Sequence, residues 1–210
     1  MTDDSLAGAI ESGPEPDVAE VIDTHRLESF SDGVLAVIIT LTAFELRPPT
    51  GESWGAITHR VPALLVYVLS FAIIATYWNY HHHVFRVTQR IDASVIWANA
   101  NMLFWLSLLP LATEWVGNAY HSVAPAVAYG VVALGAALAV QAMVWVVARL
   151  NYDDARTIQA VIYDAKGVLY TAISYVVAIG LAFISPYLAY GCYVIVLLMW
   201  IISSLRPVRR

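Results

Sequence analysis

From Val123 to Arg149 the chain runs through apolar and small residues, broken by a single amide at Gln141, and meets its first charge only at Arg149. A run of that length and character has few folded homes. The hydrocarbon core of a bilayer is about 30 Å thick, and a helix that crosses it needs about 20 mostly apolar residues. Six stretches meet that description: Glu28 to Leu46, Thr58 to Tyr80, Ala93 to Trp115, Val123 to Arg149, Gly167 to Ile184 and Tyr187 to Leu205. They predict an all-α integral membrane protein with six transmembrane helices. Helices can span because each backbone N–H and C=O is satisfied within its own segment. The composition agrees. Hydrophobic residues make up 60% of the chain and charged residues 13%, against about 25% charged in a soluble domain. A larger core does not explain the gap, because small domains bury less of their surface, not more. The missing charge faces lipid.

The flanks differ from the apolar unit. Asp3, Asp4, Glu11, Glu15, Asp17, Glu20 and Asp23 crowd the start among Pro14, Pro16, Gly8 and Gly13. Residues 1–24 therefore read as a disordered acidic tail. They carry no basic n-region and no apolar h-region of a signal peptide. Residues 25–205 form the membrane unit, and 206–210 a basic tail. Pro48-Pro49-Thr50-Gly51 ends the first helix, since neither proline has the N–H that a continuing helix needs. Ser185-Pro186 leaves almost no loop, so the last two helices form a tight hairpin. Cys192 stands alone, which excludes a disulfide framework and a cysteine metal cluster.

Lysine and arginine set the orientation. With an even number of spans, one side holds Arg26, Arg86, Arg90, Arg149, Arg156, Lys166, Arg206, Arg209 and Arg210, and the other only Arg47 and Arg60. Both termini are thus expected in the cytoplasm. Trp54, Trp115, Tyr120, Tyr187 and Tyr190 mark the outer interface, and Tyr77, Trp78, Tyr80 and Tyr163 the inner one.

The first helix carries the functional clue. It reads Arg26-x-x-x-Phe30-Ser31-Asp32-Gly33 and continues through Val37, Thr40, Leu41 and Phe44 to Glu45. Asp32 lies at or just inside the membrane, where a carboxylate needs a partner or a water-filled path. Both an ion pair that holds helix ends together and a proton or ion site fit the residue. At 100° per residue, Asp32 lies roughly 140° round the helix from Val37. If Val37 faces a pore, Asp32 faces protein. The second helix ends in Trp78-x-x-His81-His82-His83-x-Phe85, and the third offers Asp92, an Asn at 99 or 101, and Leu109-Pro110.

These segments resemble the signature of the transmembrane protein 175 family of potassium-permeable channels, in its prokaryotic single-unit form. The first-helix motif is the most specific part. The resemblance implies a homotetramer in the cell membrane with a central pore lined by the first helix of each subunit. It implies a constriction of bulky apolar side chains with threonines nearby, rather than a carbonyl filter. No Thr-Val-Gly-Tyr-Gly filter sequence occurs. Alignment on Phe30-Ser31-Asp32 puts the ring at Val37, then Leu41 and Phe44, with Thr40 at the threonine position. These four share one helical face by spacing. Ile38 and Ile39 could line a pore equally well on periodicity alone, so the resemblance selects the face. The ring position is often Ile or Leu in that family. Valine is shorter and would wet more easily, which leaves Leu41 and Phe44 as rival minima. Glu45 would place a carboxylate ring at the outer mouth.

The remaining candidates are weaker. Arg26 suits an anchor to a carboxylate such as Asp32 or to helix carbonyls. Adjacent residues on a helix point about 100° apart, so His81, His82 and His83 cannot jointly ligate one ion. Packing, with bonds to the first helix, is the expectation for them. Potassium is the only metal expected, as the permeant ion, and no cofactor is implied. No Walker, Gly-x-Ser-x-Gly, His-Glu-x-x-His or Gly-x-Gly-x-x-Gly motif occurs, so the chain is not read as an enzyme. Nothing points to nucleic acid. A proton- or ion-coupled small-solute transporter is the rival function, although no pair of broken helices supports it.

Overall fold

A computed structural model describes residues 24–51 and 54–204, apart from the side chains of residue 87, 155–166, 168, 203 and 204. The expected acidic tail, except Thr24, and the basic tail lie outside the described residues, as do the side chains of Arg156, Tyr163 and Lys166. The described chain forms eight helices: α1 (Thr24–Phe44), α2 (Trp54–Thr58), α3 (Val61–Val87), α4 (Ala93–Ser107), α5 (Leu109–Ala119), α6 (Val123–Leu150), α7 (Ala155–Ala182) and α8 (Pro186–Ser204). Four stretches are long and apolar enough to cross a membrane: Thr24–Phe44, Val61–Arg86, Ala93–Ala119 and Val123–Leu150. Leu169–Ala182 and Pro186–Ile202 are shorter apolar stretches within α7 and α8.

Several boundaries depart from the sequence expectation, each for a physical reason. The second long helix continues past Tyr80 to Val87, because His81, Val84 and Phe85 are buried inside the protein. The third breaks at Leu108. Pro110 has no N–H to offer the Leu106 carbonyl, and the Leu108 N–H turns back to Trp105. The helix resumes as α5 with that proline in its first turn, where the missing donor costs nothing. α7 begins at Ala155 rather than Gly167; its polar first half suits a helix but not lipid, so apolarity alone could not reveal it. The short α2 was not anticipated. Between α7 and α8 the Ser185 amide closes on the Leu181 carbonyl at 2.8 Å, and α8 starts at once on Pro186.

α6 forms the centre and packs most extensively against α7 and α4. Its small residues let neighbours come close. A Cβ on Gly135 would lie 2.2 Å from the Trp105 ring, and one on Gly130 would lie 2.2 Å from the Tyr193 hydroxyl. That hydroxyl donates to the Ala126 carbonyl at 2.9 Å. Ser70, Thr113 and Tyr129 join α3, α5 and α6 through buried hydroxyl bonds of 2.6 and 2.9 Å. Gly135→Ala forces a rigid indole to move, and overpacking of this kind costs about 1–3 kcal/mol. A lower melting temperature in detergent is expected for Gly135→Ala. Gly180→Ala, where nothing lies within 4 Å of the added carbon, should melt like the parent protein.

Candidate functional site

α1 has two distinct faces. Leu27, Ser31, Leu35, Ile38 and Thr42 recur at helical spacing and are buried in the protomer. The other face is left open: Phe30 is 59% exposed, Val37 57%, Leu41 50% and Phe44 78%. Thr40 lies on that open face, and its hydroxyl donates to the Ala36 carbonyl one turn back. The proton is thereby used within the helix, and the oxygen keeps lone pairs directed outward. Ile38, equivalent to Val37 by periodicity, lies in the core.

The polar residues of α1 tie its N-terminal half to α3 and α4. The Trp78 indole N–H donates to Asp32 Oδ1 at 2.9 Å. His82 Nδ1 lies 2.5 Å from Glu28 Oε1. Deeper in, Ser31 Oγ donates to the Leu27 carbonyl, and Asn99 Nδ2 donates to Ser31 Oγ, both at 2.9 Å. Asn99 Oδ1 is then the acceptor for His81 Nε2, 3.0 Å away. The directions of the other two bonds fix His81 as the Nε2–H tautomer in this relay. Its ring also stacks on Phe85, with centroids 4.4 Å apart. At the start of α4, Asp92 caps the helix by accepting from the Ser94 and Val95 amides. The Ser94 hydroxyl, foremost, and those amides hold the Asp92 carboxyl below its usual range.

Other candidates are dispersed. The anticipated Arg26–Asp32 pair does not form among the described residues; Arg26 is exposed, and Asp32 is held by Trp78 instead. His81 reaches α4, His82 reaches α1, and His83 is exposed. Among the described residues no group of three His, Cys, Asp or Glu could hold a metal. Glu45 is half-buried in a polar cleft between α1, α3 and α5 that also holds Arg47, Arg60, Tyr67, Glu114 and Asn118. Arg47 Nη2 lies 3.7 Å from Glu114 Oε1 there. Sequence reasoning missed Glu28 as the partner of His82, and could not choose between Asn99 and Asn101. The usable signal was that Ser31, His81 and Asn99 each put a polar group into an otherwise apolar span, so each needs a partner at its own depth.

The family model described as "Endosomal/lysosomal potassium channel TMEM175" matches residues 26–110, the stretch that holds Glu28, Ser31, Asp32, Trp78, His81, His82 and Asn99. A potassium channel of a Chryseobacterium species is 39% identical over 181 residues, which cover 86% of this chain and 94% of that one. The chain belongs to the TMEM175 family. A potassium channel of Streptomyces collinus is 30% identical over 173 residues, 78% of this chain and 84% of its own. The crystal structure of a lysosomal potassium-selective channel TMEM175 homolog from Chamaesiphon minutus superposes with a TM-score of 0.69 at 27% identity, covering 87% of this chain and 98% of that one. TMEM175 membership makes the chain a multi-pass membrane protein of a channel family, not an enzyme. The matched segment of this TMEM175 chain ends at Pro110, just past the break between α4 and α5.

Proposed function

We propose that this protein is a potassium-permeable channel of the cell membrane. Four copies, each with six membrane-crossing segments and both termini in the cytoplasm, surround a central pore made by four α1 helices. Val37, Leu41 and Phe44 form successive apolar rings, Thr40 adds hydroxyl oxygens between them, and Glu45 enriches cations near the outer mouth. Ions pass down their gradient without covalent chemistry. The observation that carries this reading is the division of α1. Glu28, Ser31, Asp32 and Thr42 are all engaged within their own protomer. What remains is an apolar face interrupted by one threonine, which no described residue of the protomer covers. The names of its relatives, two potassium channels and a potassium-selective channel homolog, support potassium as the ion. Apolar rings gate by excluding water. Threonine oxygens give weaker discrimination than a carbonyl cage, so potassium is favoured over sodium without near-absolute selectivity.

Purified protein in liposomes, with outward potassium or sodium gradients and a parallel mass measurement in detergent, tests the proposal. Faster potassium than sodium flux from a complex of four chains is the expected result. An intact four-chain complex that passes neither ion would overturn it.

A further inference from the structure

Two loops at one end of the bundle are stitched together. Asn151 is buried, and its Oδ1 accepts the amides of Gln89 at 3.3 Å and Arg90 at 2.9 Å. Its Nδ2 donates to the carbonyls of Arg90 at 3.2 Å and Val147 at 2.9 Å. The Arg90 guanidinium meets both oxygens of Asp153, at 3.2 and 2.9 Å. Gln89 Nε2 donates to Asp154 at 3.3 Å. This clasp holds the start of α4 beside the end of α6 and so sets the level of two indoles. Trp97 lies about 6 Å along the axis from Ala93, and Trp145 about 7.5 Å from Leu150. They are 75% and 60% exposed.

Arg149 completes the corner. Its guanidinium carbon lies 5.7 Å from the centre of the Trp145 ring, within cation–π range. Asp153 is occupied by Arg90 and Asp154 by Gln89, and Arg149 makes no ion pair among the described residues. The corner thus presents an exposed planar cation, without an ion pair among the described residues, over the Trp145 indole at interfacial depth, with the Trp97 indole at a similar distance from its own helix end. Trp and Tyr favour the headgroup level, and guanidinium matches phosphate oxygens in pairs.

We infer that this corner binds the headgroup of an anionic phospholipid, with the phosphate on Arg149 and the glycerol and upper acyl carbons against Trp97 and Trp145. A zwitterionic headgroup carries the same phosphate, but its ammonium group adds a second cation beside Arg149. A net-anionic lipid is therefore preferred. The inference needs only that the protein lies in a membrane; it stands or falls separately from the channel reading.

Delipidated protein, titrated with phosphatidylglycerol or phosphatidylcholine and read by native mass spectrometry, tests it. Phosphatidylglycerol should bind more tightly than phosphatidylcholine. Arg149→Gln should weaken the former about fivefold or more and the latter less, so that the preference narrows, Arg149→Lys should recover part of the loss, and Arg47→Gln at the other end should have no effect. If Arg149→Gln does not fold, quenching of tryptophan fluorescence by brominated lipid decides. Brominated phosphatidylglycerol should quench more than brominated phosphatidylcholine, and Trp145→Phe with Trp97→Phe should remove the difference. A folded Arg149→Gln protein that binds phosphatidylglycerol like the parent, or equal quenching by the two lipids, overturns the inference.

Discussion

Leu41→Asn raises the resting potassium leak of reconstituted protein by about tenfold or more. The size follows from the four-fold symmetry proposed above. In a four-fold pore one substitution alters a whole ring, and tenfold in rate needs about 1.4 kcal/mol off the barrier, or roughly 0.35 kcal/mol from each subunit. Exchanging a leucine for an amide on a narrow water-facing ring removes much more apolar surface than that requires, since one buried CH₂ is worth about 0.8 kcal/mol. The same change at Leu35, on the buried face of the same helix, puts an unpaired amide into packed protein and should reduce folded yield instead of raising leak. At Leu198, exposed on α8, it should do neither. Potassium efflux from proteoliposomes, with chromatography to confirm assembly, separates these outcomes. An assembled Leu41→Asn channel with the leak of the parent would remove Leu41 from the pore.

Two levels of the molecule differ in how far the sequence reveals them. The apolar spans are legible because lipid imposes a single requirement along about 20 residues. The face of α1 is not, since Val37, Ile38 and Ile39 are chemically alike; only packing places Ile38 inside and leaves Val37 out. The extension of α3 to Val87 and the early start of α7 escaped for the opposite reason. Both stretches carry polar residues, and hydropathy registers lipid, not helicity. Asn99 and Asn101 could not be told apart because the choice depends on which of two nearly opposite faces of α4 meets Ser31 and His81. Of the two partners that charge suggested for Arg26, a carboxylate such as Asp32 or helix carbonyls, the Asp32 carboxylate is held by an indole N–H instead.

Asn99→Leu should be among the most destabilising single changes in the protein. Asn99 is 1% exposed and joins three helices, since it accepts from His81 on α3 and donates to Ser31 on α1. Leucine has the same branching and the same number of side-chain heavy atoms, so the polar loss is the main term. Ser31 keeps its bond to the Leu27 carbonyl and suffers least. His81 is 0% exposed and is left with a ring N–H and no acceptor. Leaving one buried group unsatisfied costs about 1–3 kcal/mol, while cross-helix hydrogen bonds in membranes average only about 0.6 kcal/mol. The orphaned donor, not the lost bond, therefore dominates. Asn101→Leu, at an exposed position, should melt like the parent. The decisive comparison is the double variant. His81→Phe added to Asn99→Leu removes the orphan and keeps a ring against Phe85, so it should recover much of the lost melting temperature, although on its own each change deletes the same contact. If the double variant melts below Asn99→Leu alone, the relay is not what holds the N-terminal half of α1, and packing around Leu27 and Leu35 must account for it.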